Sequence, residues 1–372
     1  MLSRRSLLLA GAAGLVAASG AACGDDEEPA AGASPAPSAS AAGQVVPAAP
    51  AGPDAERVAQ FRLPSPGAPG GLDWNPTGDL LAVTGPGQIA LFPAGGGAAV
   101  VAAKAHGTSM ANSVSWAPDG SRFVTVGTDS VLQFWSADGA PTRSLQLKGV
   151  ERHGVVRWSP TGKLLAVSTG NTPMVVDVSA GAPGTPVAGT KVEVLYEIAW
   201  APDGASYYAA GVSGVTRNPV PSGPPTATLT DAAVRVWRSV AVAPDGRVVV
   251  AARPAQGAPG PSGGAAPPDV RDLIRVYNPD LVTFGPPFDL PAGASTVTAM
   301  RFSPDGKRVV IGFQQGPVGI WEVTGTQGRY VGGYRGHGQP GAGGYGLAWQ
   351  PGTDRVASLD ADGSVHLWHI NS

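Results

Sequence analysis

The chain has one cysteine, Cys23, in 372 residues. No intramolecular disulfide can form, so packed sheets must supply the stability of whatever folds here. Charge is also sparse: Asp, Glu, Lys and Arg make up 14% of the residues, and the formal net charge is −2. A nucleic-acid binder needs a basic excess to meet phosphates, and no Lys/Arg stripe is present, so nucleic acid is excluded as a partner. Apolar runs long enough to span a bilayer are missing. The N-terminal run, residues 7–18, falls short of the roughly 20 residues a spanning helix needs. What the chain has in excess is turn formers, 54 Gly and 37 Pro, a composition suited to many short strands. The length could hold two average domains, but all-β repeat folds run long as one.

Residues 113–135, SVSWAPDGSRFVTVGTDSVLQFW, contain three short apolar runs separated by Pro118-Asp119-Gly120 and Thr128-Asp129-Ser130. Runs of this length between turn residues are strands of an antiparallel meander. The unit recurs. Its turn proline stands at Pro76, Pro118, Pro160, Pro202, Pro244, Pro304 and Pro351. The first four steps are equal (118−76, 160−118, 202−160 and 244−202 each give 42), followed by 60 and 47. Two residues before each proline stands a large apolar residue: Trp74, Trp116, Trp158, Trp200, Val242, Phe302 and Trp349. Seven copies of roughly 40–45 residues, four strands each, predict an all-β, seven-bladed β-propeller of four-stranded antiparallel blades.

At these residues the chain resembles the WD-repeat family. The copy most like it is 335–368, with Gly336-His337, Ser358, Asp362-Gly363 and Trp368. In the family such His, Ser/Thr, Asp and Trp positions form a hydrogen-bonded tetrad within a blade. The resemblance therefore implies one tetrad of His337, Ser358, Asp362 and Trp368. It implies a second containing Thr125, Asp129 and Trp135, with the same 4- and 6-residue offsets and with His106 ahead of it. The remaining units lack the set, and His369 stands where the terminal Asp of the WD dipeptide would be. The resemblance covers about residues 56–370 and speaks to architecture rather than activity.

Ahead of the repeats, Arg4-Arg5, an apolar run and small residues up to Cys23 make residues 1–22 a signal peptide with a twin-arginine-like start. Cys23 follows Gly20-Ala21-Ala22, the place where lipoprotein signals are cleaved and the cysteine acylated. Residues 23–54, acidic at first and then Ala, Pro, Ser and Gly, cannot bury a core and are expected to be a disordered linker to the propeller at 55–372. The expected location is the outer face of a bacterial membrane, held by lipid alone.

The last unit ends on its third strand, 364–370. Residues 56–63, ERVAQFRL, have no partner of their own and are expected to complete that blade, closing the ring. The 60-residue step places an insertion at 254–271, between the second and third strands of the fifth blade. Loops of that kind and those joining one blade to the next emerge on one face. That face carries Arg152, His153, Arg235, Trp237, Arg271, Arg335 and Tyr345, residue types suited to a binding surface. His366 and His369, on the last strand, are expected near a surface. Asp360-x-Asp362-Gly363 lacks the further oxygens of a calcium loop. The glycine runs carry no Lys-Ser/Thr for phosphate, and no nucleophile elbow occurs. The expectation is a monomeric, non-enzymatic scaffold without cofactor or metal, binding a protein or an envelope polymer. The alternative is a secreted hydrolase, lyase or quinone-dependent oxidoreductase, which would show three or more His, Asp or Glu side chains converging in the central funnel.

Overall fold

The structure is a computed structural model that describes residues 55–64, 67, 70–147, 154–180, 183–255, 271–337, 346–360 and 362–370. Seven antiparallel sheets follow one another along the chain. We letter the strands of each blade a to d from the innermost outward. In blade 2 they are Ala111–Trp116, Arg122–Gly127, Val131–Ser136 and Pro141–Gln146. The a–b turn is set by its sequence: Pro118 fixes one dihedral, Asp119 accepts from the Ser121 amide at 3.0 Å, and Gly120 takes φ 71°. Its counterpart in blade 4, Gly204, takes φ 67°.

Strands a and b are mostly buried, while strand d of blade 2 is largely exposed. This gradient explains the composition, because continuous apolar runs are needed only near the axis. The tryptophan closing strand a acts as the spacer between blades. Trp116 packs on Phe123 at 4.7 Å, and Phe123 stacks on Trp135 at 5.9 Å. Trp200 donates through Nε1 to the carbonyl oxygen of Arg157 in the preceding blade at 3.0 Å, and Trp349 does the same to Arg301 at 3.0 Å. The backbone amides at this position are stitched too. Trp116 N donates to Asp73 Oδ2 at 2.8 Å and Trp158 N to Ser115 Oγ at 3.0 Å, each across one blade boundary.

Ring closure follows the sequence expectation with a one-residue shift. Ala55–Arg62 pairs antiparallel with Ser364–Ile370, from Ala55 opposite Ile370 to Arg62 opposite Ser364, with a register slip between Arg57 and Ala59. The last blade is thus built from both ends of the domain. The period also settles the fifth blade. Val234–Val242 is its strand a, paired with Val248–Pro254, rather than a third strand of blade 4.

Blade 5 departs from four regular strands. Among the described residues it has three, the third being Leu273–Tyr277. The outer place is taken by an irregular segment. Gly285 N donates to Val276 O at 3.0 Å and Phe288 N to Ile274 O at 2.9 Å. Pro286 and Pro287 lie between these two bonds and have no N–H to give a ladder, so no strand propagates. The insertion does fall between strands b and c, although residues 256–270 lie outside the described residues.

Candidate functional site

The first residues of the innermost strands line a central cavity of about 150 Å³. The a–b turns are at the other end of those strands, so the cavity opens on the face bearing the b–c and d–a loops. A larger recess of about 290 Å³ lies between blades 2 and 3 on the turn face, lined by Arg122, Phe134, Arg143 and Val178. There Arg122 is already engaged, lying over the Trp158 ring at 5.0 Å and donating to Val178 O at 3.5 Å. The charge is concentrated in the central cavity.

Three charged side chains meet across it. Glu197 of blade 4 accepts from Arg157 Nη2 of blade 3 at 2.9 Å and from Arg301 Nη1 of blade 6 at 3.2 Å, one carboxylate oxygen to each. Arg157 Nη1 also donates to Ser113 Oγ of blade 2 at 3.0 Å. Burial acts to raise the Glu197 carboxyl, but the two guanidinium charges outweigh it and hold the group below its usual value. Burial pulls Arg157 down from its usual value, with Glu197 opposing. Asp73 of blade 1 lies near both arginines. Burial pushes its carboxyl up to about 6, even though the Trp116 amide, Arg157 and Arg301 each favour the ionised form.

None of these four residues stood out when the sequence was read by motif. For Asp73, Arg157 and Arg301 the signal was present in the period, whereas Glu197 stands at another register. The residue just before each spacer position is Asp73, Ser115, Arg157, Ala199, Ala241, Arg301 and Ala348. Charged residues at one register of the innermost strand, among small ones, have nowhere to point except the channel.

The tetrads are resolved atom by atom. In blade 2, His106 reaches Asp129 Oδ1 with Nδ1 at 3.0 Å and Thr125 Oγ1 with Nε2 at 2.8 Å, and Trp135 Nε1 donates to the same hydroxyl at 3.0 Å. In blade 7, His337 Nε2 lies 2.8 Å from Ser358 Oγ, and Trp368 Nε1 donates to Ser358 at 2.9 Å. The acid there is not the expected Asp362. Asp360 Oδ2 lies 3.4 Å from His337 Nδ1. Asp362 instead caps its own turn through the Ser364 amide at 2.9 Å and meets Arg62 at 3.2 Å. The physical reason sits at the position equivalent to Asp360 in blade 2, which is Gly127. A Cβ on Gly127 would come within 2.6 Å of the His106 ring, so its absence leaves the slot that Asp129 reaches through. Asp360 fills that slot itself, and Asp362 is displaced outward.

His366 also departs from expectation, being 3% exposed rather than near a surface. It receives Tyr334 OH at 2.8 Å on Nδ1, and its Nε2 lies 3.3 Å from Ser364 Oγ. His337, Asp360 and His366 are the described residues whose donor atoms approach one another within 4.8 Å, as a metal site requires. Both ring nitrogens of His366 are hydrogen-bonded, Nε2 within blade 7 and Nδ1 to Tyr334 of blade 6, so the trio is knit into a buried network. Burial lowers the imidazole of His366 to about 4, with His337 adding to the effect.

Of the expected contact residues, Arg235, Arg271 and Arg335 are exposed at the loop-bearing ends of blades 5 and 6. Trp237 is not at the surface. At 4% exposure it packs with Tyr208, Val215 and Val240 between blades 4 and 5, because strand a begins earlier than its spacer residue suggests and turns the indole inward. Arg152, His153 and Tyr345 lie outside the described residues, as does Cys23.

Asp73 and His366 give opposite pH dependences. The native state keeps the Asp73 proton up to about pH 6, whereas the unfolded chain releases it near 3.8, so this group penalises folding increasingly as pH rises from 4 to 6. The native state refuses a proton on His366 down to about pH 4, whereas the unfolded chain accepts one near 6.5, so stability is lost as pH falls through that window. Asp73→Asn should remove the first slope and uncover the second. The variant should exceed the parent by up to ~3 kcal/mol above pH 6.5, and the gap should close by pH 4. Thermal melts across this range test it; a gap that stays constant from pH 4 to 7 would rule it out.

The comparisons with known proteins agree with the fold. Residues 100–136 match the family model described as WD domain, G-beta repeat. Those residues cover the end of blade 1 and most of blade 2, including Thr125, Asp129 and Trp135. No curated protein matches the chain. Among solved structures, the β-propeller domain of Cps50 (Swd1) from Myceliophteria thermophila superposes with a TM-score of 0.67 at 16% identity, covering 85% of this chain and all of that one. At that identity the likeness concerns architecture: this chain is a β-propeller with at least one WD-type repeat.

Proposed function

We propose that this chain is an exported β-propeller lipoprotein, tethered through Cys23, that binds a protein partner or an envelope polymer on its loop-bearing face and catalyses no reaction. The observation that carries this reading is the placement of Arg235, Arg271 and Arg335, all exposed and all on the face where the channel opens. Arginine offers a planar set of donors on a surface, a common basis of protein recognition. The charged groups inside the channel support the same reading, because Arg157, Glu197 and Arg301 are bound to one another rather than poised around an empty reaction centre. A second reading, an enzyme working in the funnel, has one group in its favour. Asp73, with a carboxyl near pH 6, suits acid–base work. Among the described residues the channel holds two carboxylates, against the three converging acids or histidines that reading called for.

Two measurements test the proposal. Cys23→Ser should release the protein from the membrane fraction. In-cell crosslinking should then compare two pairs of substitutions. Arg235→Ala with Arg335→Ala should reduce capture of the crosslinked species several-fold at an unchanged melting temperature. Asp119→Ala with Asp305→Ala, on the turn face, should leave capture intact. The reverse pattern would place the partner on the other side of the ring.

A further inference from the structure

We propose that the mouth of the central channel is a binding site for a carboxylate, supplied either by a small free acid or by an acidic side chain of a macromolecule. The inference concerns the channel itself and does not depend on the tether or on which face the partner uses.

It starts from an imbalance of donors. Two guanidinium groups are hydrogen-bonded to a single carboxylate, Glu197, while Asp73, near both, is bonded to the Trp116 amide instead. Arg301 makes its two hydrogen bonds through one nitrogen, Nη1, to Glu197 Oε2 at 3.2 Å and to Met300 O at 2.7 Å. Its Nη2 and Nε therefore make no hydrogen bond within the described structure. The Arg301 side chain is 29% exposed and lines the cavity, so that donor edge is within reach of a solute. A fork of two parallel N–H groups matches the two oxygens of a carboxylate.

The neighbours suit an anion. Asn112, Ser113, Tyr196 and Thr298, from blades 2, 4 and 6, make much of the rest of the lining polar. Behind them stands a further cation. Arg238 of blade 5 lies over the Tyr196 ring at 5.8 Å, with its buried Nε unbonded and 4.0 Å from Asp272. Volume sets the size of the guest. About 150 Å³ is below the roughly 300–1,000 Å³ of sites for drug-sized ligands. It suits a two- to four-carbon acid, or the end of an Asp or Glu side chain.

Glu197 is then a built-in competitor. It occupies the two arginines in the empty site, and an entering carboxylate shares them with it. This predicts opposite signs for two neutralising substitutions. Arg301→Gln removes the open fork and should weaken binding about tenfold or more. Glu197→Gln removes the competitor and should strengthen binding several-fold. A purely structural triad predicts the same direction for both.

The test is calorimetric titration of the full-length protein in detergent with acetate, succinate and an end-blocked Gly-Gly-Asp-Gly-Gly peptide. Saturable binding of at least one probe, weakened by Arg301→Gln and strengthened by Glu197→Gln, is the expected result. Should Arg301→Gln fail to fold, Arg301→Lys keeps the charge, loses the fork and should weaken binding in the same sense. Tighter binding of the peptide than of either free acid assigns the source to a macromolecule, and the converse assigns it to a free acid. No saturation by any probe up to about 50 mM, or equal weakening by both substitutions, overturns the proposal.

Discussion

Deleting residues 1–64 should abolish cooperative folding and drive the protein to aggregate, whereas deleting residues 1–54 should leave a well-behaved domain. The two truncations differ by one strand and its continuation. Ala55–Arg62 covers the outer edge of Ser364–Ile370, and without it that edge is open along its length. The strand also brings core. Phe61 is 2% exposed and packs on Phe92 at 5.2 Å, while Leu63 joins Leu81, Val83 and Leu359 in the same cluster. Losing one buried phenylalanine costs about 3–5 kcal/mol, and a buried leucine adds a comparable amount. The exposed Arg62–Asp362 pair contributes little beside this. Melting curves and size-exclusion profiles of the two truncations decide the matter; equal melting temperatures would mean the closing strand is dispensable.

The second large effect is expected at Asp272. It stands at the entry to strand c of blade 5, with its side chain fully buried. Its carboxylate accepts from Arg253 Nε at 2.9 Å and from the Val297 amide at 2.7 Å, and Arg238 Nε lies 4.0 Å away. Val297 opens strand a of blade 6, so one side chain joins two blades where the outer strand of blade 5 is irregular. Burial raises the carboxyl from its usual value, with the Val297 amide and Arg253 opposing. Asp272→Ala would leave the Val297 amide and Arg253 Nε without their acceptor and Arg238 without its nearby counter-charge, a change of about 3–5 kcal/mol. Asp272→Asn keeps an oxygen for Val297 and should cost less. Urea unfolding of both variants is the measurement, and an unchanged midpoint for the alanine variant would refute the assignment.

Much of this architecture was legible in the sequence, and the parts that were not share a cause. The 42-residue step marks tight turns, which are local and carry their own chemistry in Pro118-Asp119-Gly120. The step places strand a of blade 5 at Val242, although Val234-Arg235-Val236-Trp237 by itself has the look of a third strand ending in tryptophan. It did not say which way Trp237 faces, because a strand that starts a few residues early, with bulges after Val234 and Trp237, resets the alternation. Asp362 was misread for a related reason. The 4-residue offset from Ser358 copies that from Thr125 to Asp129, but the outcome depends on whether the intervening residue is Gly127 or Asp360. Arg157, Glu197 and Arg301 meet only because blades 3, 4 and 6 face one axis, which no local pattern encodes.

The pairing of Ala55 with Ile370 also sets an order of events. The partners are 370−55 = 315 residues apart, whereas strands b and c of blade 2 are joined by a turn of three, Thr128-Asp129-Ser130. Chain entropy opposes the long closure more than the short one, so hairpins and individual blades form early and the ring shuts late. During synthesis Ala55–Arg62 emerges before the other strands of the ring and must wait, unpaired, until Ser364–Ile370 appears. Until then the protein has two sticky edges and no complete seventh blade. A machine that translocates only finished folds could therefore act on this propeller only after Ser364–Ile370 has left the ribosome.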